Sequence, residues 1–269
     1  MQNFLIPTIT ALLLATSALC AAETNTQKKV LPLPGEVFSV AGHTAFLIPA
    51  KADGAGKPWV WYALTLPVYP GAAEKWMFEK FRDAGLAVAG IDAGESYGSP
   101  AGRKLFTALY AELIARGYAR KPVLLGRSRG GLQLLSWAAE NPDKVAGFAG
   151  IYPVSNLSSY PGVAKAAPAY ELKPDELQAR LAEFNPVERL ASLAKAGVPL
   201  FAIHGDADKL VPLAQNSGLL KERYVALGGQ MQLIVPPGQG HNMWTGFFQC
   251  EELVKFVKES ATAPAQKQP

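Results

Sequence analysis

The sequence predicts an α/β fold with a mostly parallel central sheet and helices on both of its faces. Three observations lead there. Short apolar runs of strand length alternate with helix-patterned stretches from Val37 almost to the end. A glycine-rich turn, Gly126-Arg127-Ser128-Arg129-Gly130-Gly131, joins one such run directly to a helical pattern. Finally, 269 residues with 49% apolar and 18% charged side chains can fill the core of one large domain, which excludes a disordered chain.

Residues 1–22 stand apart, because they carry no charge and contain an apolar stretch over 9–19 of export-signal length. Ala18-Leu19-Cys20 and Cys20-Ala21-Ala22 each offer a cleavage site, although no Lys or Arg precedes the apolar run. A secreted or periplasmic protein is expected. The alternative, a lipoprotein anchored through Cys20, fits less well, since Ser17-Ala18-Leu19 reverses the order of a lipobox. Loss of Cys20 with the leader leaves Cys250 alone, so no disulfide framework is expected.

The elements then follow in order. Residues 36–40 and 44–48 flank Gly42-His43 as an opening hairpin, and the aromatic, β-branched run 59–64 reads as a buried strand. A helix over about 74–83 sets Met77, Phe78 and Phe81 on one face. Strand 87–91, a helix over about 103–116, strand 122–126 and a helix over 132–140 come next. Strands 145–151 and 199–204, a helix near 213–227, strand 231–235 and a last helix near 251–257 complete the series. The main domain is expected over 23–258. Residues 259–269, rich in Ala, Gln and Pro, read as a disordered tail. No later run reaches the roughly 18 apolar residues of a stable membrane span.

Residues 152–184 break the alternation with Pro153, Pro161, Pro168 and Pro174. An insertion after a strand, on the side where active sites lie, reads either as a lid-like wall or as a surface excursion.

Chemistry concentrates at the glycine-rich turn. A serine at the tip of a tight strand-to-helix turn exposes its hydroxyl, and the next backbone N–H points at a developing oxyanion. Such a serine needs a general base, and the chain holds 3 histidines. His43 precedes the serine in the hairpin, and His204 ends a strand. His241, in the Gly- and Pro-rich loop Pro236-Pro-Gly-Gln-Gly-His241, has no helical or strand reason to be there and reads as the base. Asp206 and Asp208 both follow the strand ending at His204. Asp208 lies further into the loop and reads as the group that orients the base, and Asp206 as a turn cap.

Gly126-Arg-Ser-Arg-Gly-Gly131, His204-Gly-Asp-Ala-Asp-Lys-Leu-Val-Pro212 and Gly240-His241 resemble the α/β-hydrolase superfamily. The spacing His-Gly-x-x-Asp-x-x-Val-Pro is similar to its prolyl-oligopeptidase-like and acetyl xylan esterase-like branches. The resemblance spans about Val37 to Val257. It implies a catalytic set of Ser128, Asp208 and His241, no cofactor, and hydrolysis of carboxylic esters, carbohydrate esters among them. Many relatives carry a His-Gly-Gly turn after the third strand. Tyr62-Ala-Leu-Thr-Leu-Pro67 stands there instead, so Arg129 and Leu64 are the expected oxyanion donors.

Arg127, Glu95, Tyr97 and Trp244 are the candidates for contacting substrate. Arg127 and Arg129 read alternatively as loop braces, and Trp244, Phe247 and Phe248 as core. Trp59, Trp61 and Trp137 read as structural, and Asp92 as a loop anchor. His204, Asp206 and Asp208 match no metal-ligand spacing, so no metal is expected. A net charge of +4, from 26 Lys+Arg against 22 Asp+Glu without a basic run, excludes nucleic acid as a partner. The expected partner is a small-molecule or saccharide ester.

Two rival readings remain. A prolyl-oligopeptidase-type peptidase typically carries a propeller ahead of its hydrolase domain, and residues 23–35 are too short for one. A non-catalytic hydrolase-like binding protein would be expected to have lost part of the Ser-Asp-His set.

Overall fold

In the computed structural model, which describes residues 29–262, the chain begins β1 (Glu36–Val40), β2 (His43–Ile48), β3 (Trp59–Ala63), α1 (Lys75–Asp83) and β4 (Ala87–Ile91). It continues through α2 (Pro100–Ala115), β5 (Val123–Arg127), α3 (Gly130–Glu140) and β6 (Gly147–Ile151). The short helices α4 (Val163–Ala166), α5 (Pro174–Ala179), α6 (Leu181–Phe184) and α7 (Ala191–Lys195) lead to β7 (Leu200–Ile203). Next come α8 (Ser217–Ala226), β8 (Met231–Ile234), α9 (Thr245–Phe248) and α10 (Glu251–Thr262). The leader expected over 1–22, with Cys20, lies outside the described residues.

The strands form one sheet in the order β1-β2-β4-β3-β5-β6-β7-β8. The pairs β1–β2 and β2–β4 are antiparallel, and every pair from β4–β3 to β7–β8 is parallel. The mostly parallel sheet read from the sequence is therefore present. After β3 the chain passes to one side for β4 and returns to the other side for β5. This reversal opens a crevice at the carboxyl ends of β3 and β5, where α/β sheets bind their ligands.

Alternation along β3 divides the core. Trp59 and Trp61 enter one layer with Phe106 of α2 and Trp137 of α3, the Trp61 and Trp137 rings lying 4.8 Å apart. Val60 and Tyr62 enter the other with Phe78 and Phe81 of α1 and Val257 of α10. The structural role read for the three tryptophans matches this burial.

Several boundaries differ from the sequence reading, each for a local reason. Helix α2 starts at Pro100 rather than near 103, because the Ser99 hydroxyl accepts the Gly102 N–H at 3.3 Å and proline suits the first helical position. The helix expected from 213 begins at Ser217. Buried Asn216 accepts the Ser155 N–H at 3.1 Å and donates to Ser159 Oγ at 2.8 Å, drawing its residue out of helical register. The tail expected from 259 is helical to Thr262 in α10, whose Leu253, Val254 and Val257 are buried against the sheet; 263–269 lie outside the described residues.

The insertion is built from α4, α5, α6 and intervening turns. It packs Leu157, Tyr170, Leu177 and Phe184 into a third apolar cluster with Tyr97, Leu132 and Val211. Among the described residues no helix is long and apolar enough to cross a membrane.

Candidate active site

The turn after β5 is tight enough to dictate its glycines. Ser128 sits at φ +49°, a left-handed conformation rare for residues with a side chain. Its N–H donates to the Ile151 carbonyl at 3.0 Å, and its carbonyl accepts from Gly131 and Val154, each at 2.9 Å. A Cβ on Gly126 would meet Gly131 Cα at 2.9 Å, and one on Gly130 would overlap the Ala63 carbonyl. Only glycine lets α3 start this close to β3 and β5. Gly130→Ala is accordingly expected to destabilise the fold by about 3 kcal/mol, the upper range for overpacking against atoms that cannot yield. Urea unfolding beside Gly240→Ala, whose Cβ meets nothing nearer than 3.6 Å, checks this. Equal losses in the two variants would mean the turn gives way readily.

His241 enters from the loop between β8 and α9. This loop is tied to the one after β7 by Ala207 N–H to Gln239 O at 3.0 Å and Gly238 N–H to Asp206 Oδ1 at 2.6 Å. The imidazole packs on the Tyr152 ring, with centroids 4.3 Å apart. Its Nε2 lies 2.9 Å from Ser128 Oγ, and its Nδ1 lies 2.8 Å from Asp208 Oδ2. Facing a carboxylate, Nδ1 carries the proton, which leaves Nε2 to accept from the serine hydroxyl.

Asp208 is buried, and its Oδ1 accepts the Leu210 N–H at 3.0 Å and the Val211 N–H at 2.8 Å. Burial acts to raise its pKa. Hydrogen bonds from His204, His241 and Val211 outweigh that and hold the carboxyl well below the usual carboxylate range. It is thus an anion wherever His241 can act as a base.

Leu64, just past the end of β3, and Arg129, just after Ser128, flank the serine. No hydrogen bond from either N–H is found among the described residues. The Leu64 nitrogen lies directly against Gly130. A cleft of about 210 Å³ opens beside Ser128 and His241, with Leu64, Tyr69, Tyr160 and Leu210 in its walls. Tyr160 comes from the insertion, which therefore forms one wall of the site.

The prolyl oligopeptidase family model matches residues 105–260, more than half the chain. The chain belongs to the prolyl oligopeptidase family. Comparison with curated proteins gives no match. Among solved structures, this family member is similar to dipeptidyl peptidase 4 of Porphyromonas gingivalis (16% identity, TM-score 0.65), with 83% of this chain and 35% of that one covered. It is also similar to the acylaminoacyl peptidase of Pyrococcus horikoshii (13%, TM-score 0.66), covering 88% of this chain and 43% of that one. Est1E from Butyrivibrio proteoclasticus (16%, TM-score 0.61) is similar over 84% of this chain and 98% of its own. The family member therefore spans less than half the length of each of the two peptidases. At these identities the likeness shows the α/β-hydrolase fold alone.

In this prolyl oligopeptidase family member Arg127 is among the residues lining the cleft and is also tied to its surroundings. Its Nη1 donates to Glu74 Oε1 at 2.7 Å, its Nε to the Tyr152 hydroxyl at 3.2 Å and its Nη2 to Met243 Sδ at 3.0 Å. Its guanidinium also lies over the Tyr69 and Phe248 rings at 4.5 and 5.1 Å. Buried Glu74 in turn accepts the Tyr62 hydroxyl at 2.8 Å and the Gly71 N–H at 2.8 Å. The strand that carries Ser128 is thereby fastened to the loop that carries His241.

Glu95 pairs with the Arg129 side chain at the rim rather than standing free. Tyr97 is 6% exposed in the cluster beneath the insertion, where its carbonyl accepts the Tyr170 hydroxyl at 2.8 Å. Trp244 is 41% exposed, with its ring edge-on to buried Phe247 at 5.2 Å. None of these three residues lines the cleft. Asp92 meets the Lys29 ammonium at 2.8 Å, and His43 Nδ1 lies 3.1 Å from the Asp92 carbonyl oxygen.

Sequence reasoning passed over Glu74, Tyr152 and Met243. Each looks like an ordinary member of its helix, strand end or loop, and only the distant Arg127 reveals its part.

Proposed function

We propose that this protein is an exported serine hydrolase of carboxylic esters, working through an acyl-enzyme on Ser128. The continuous hydrogen-bond path from Ser128 Oγ through His241 to Asp208, at 2.9 and 2.8 Å, carries the reading. Ser128 Oγ attacks the ester carbonyl carbon as His241 Nε2 takes its proton, and Asp208 holds the imidazolium. The N–H groups of Arg129 and Leu64 receive the oxyanion of the tetrahedral intermediate. His241 then hands the proton to the departing alcohol. Water, deprotonated by the same nitrogen, attacks the acyl carbonyl, and the acid leaves as Ser128 regains its hydrogen. The small cleft suits a short acyl group. The resemblance to acetyl xylan esterases makes acylated carbohydrate the first substrate class to test.

A second reading, cleavage of amide or peptide bonds by the same groups, is favoured by the family match. A fluorophosphonate probe is expected to add one mass increment to the protein and none to Ser128→Ala. Modification of the Ser128→Ala variant, or none of the parent, would sink the serine reading. Hydrolysis of p-nitrophenyl acetate without hydrolysis of aminoacyl p-nitroanilides then supports the ester reading, and the reverse result the peptidase. Export predicts that protein recovered outside the cytoplasm lacks Met1; an intact Met1 there would oppose cleavage of a leader.

A further inference from the structure

His204 lies on the side of Asp208 turned away from Ser128, and its ring is wholly buried. Its Nε2 lies 2.8 Å from the Val211 carbonyl oxygen and 3.2 Å from Asp208 Oδ2. Both are acceptors, so Nε2 carries a proton. On the opposite edge Nδ1 lies 2.8 Å from Ser217 Oγ, which is itself buried. Oδ2 of Asp208 thus accepts from an imidazole on each side, while backbone N–H groups occupy Oδ1. An unbroken line of side chains, Ser217–His204–Asp208–His241–Ser128, crosses the site.

A buried imidazole is costly to keep where an apolar side chain would pack, unless its polar edges are used. Here both are. The titratable groups touching Asp208 are His204 and His241; Asp206 turns away onto the Gly238 N–H, and Lys209 is exposed.

We propose that His204 is a positioning residue, a second imidazole that fixes the Asp208 carboxylate and shares its charge, so that His241 is held in the tautomer and orientation the serine needs. The proposal rests on the Ser128–His241–Asp208 reading above. Two conservative variants separate the ends of the ring. His204→Gln places an amide N–H where Nε2 stands and keeps the bond to Asp208. His204→Asn reaches only the Nδ1 position and serves Ser217 instead.

His204→Asn is expected to lower kcat by about tenfold with little change in KM. It should also raise the midpoint of the acid limb of kcat/KM by about half a pH unit, because Oδ2 then gives more of its charge to the His241 imidazolium. His204→Gln should restore both. Equal losses in the two variants with an unmoved acid limb would show a packing role and overturn the proposal, as would a wild-type profile in His204→Asn. Should His204→Asn fail to fold, Ser217→Ala decides: a smaller shift in the same direction supports the proposal, and none overturns it.

Hydrolysis that survives Ser128→Ala would fail the functional reading instead. In that event the downfield proton NMR signal of His241 Nδ1–H still tests His204. Movement in His204→Asn but not in His204→Gln supports positioning, and no movement overturns it.

Discussion

Asp208→Asn is expected to lower kcat by about 10⁴-fold while the protein still folds. The loss comes from a conflict of donors. With its oxygen on the Leu210 and Val211 N–H groups, the new amide directs its NH₂ towards His241 and His204. His241 must then accept at Nδ1 and carry its proton at Nε2, where it faces the Ser128 hydroxyl as a donor. Turning the amide over puts its NH₂ against the two backbone donors instead. That clash disfavours the one orientation that would leave His241 Nε2 free to accept the serine proton. Single-turnover rates with an activated ester check this, with circular dichroism confirming the fold. A loss below about tenfold would remove Asp208 from the proposed machinery.

Glu74→Ala strands the Arg127 guanidinium. Glu74 is fully buried and Arg127 nearly so, and removing one partner of a buried pair costs about 3–5 kcal/mol. Tyr62 and Gly71 lose their acceptor as well. For a domain of this size the melting temperature should fall by roughly 10 °C. The double variant Glu74→Ala/Arg127→Met, with no charge left to strand, should recover part of the loss. Urea unfolding of the set measures both effects. A change under about 1 kcal/mol for Glu74→Ala would mean that water reaches Arg127 and replaces the carboxylate.

Much of the framework was legible because the relevant signals are local. Strand β3 was readable from its aromatic and β-branched run, and the turn at Ser128 from glycines whose absent side chains its geometry demands. The approach of His241 and Asp208 to Ser128 could be read only through chain order and motif spacing, since each comes from a different loop. What escaped depends on partners remote in sequence. Glu74 reads as the polar start of a helix until Arg127, 53 positions on, is placed beside it. The short helices of the insertion have no sustained period, because contacts with Tyr97, Leu132 and Val211 decide their buried faces. Asn216 interrupts a helical pattern through its hydrogen bonds to Ser155 and Ser159, which no window of neighbours reveals.

The apolar cluster under the insertion divides labour within the molecule. The groups proposed to make and break bonds are braced by the sheet, by Arg127 and by the loops at its carboxyl edge. Tyr160, by contrast, reaches the cleft from a segment that rests on an apolar cluster shared with Tyr97, Leu132 and Val211. Substitutions in that segment can reshape the wall that meets the substrate without touching Ser128, His241 or Asp208. The molecule therefore keeps an editable part beside a fixed one, and its choice of substrate can drift through evolution while its reaction stays the same.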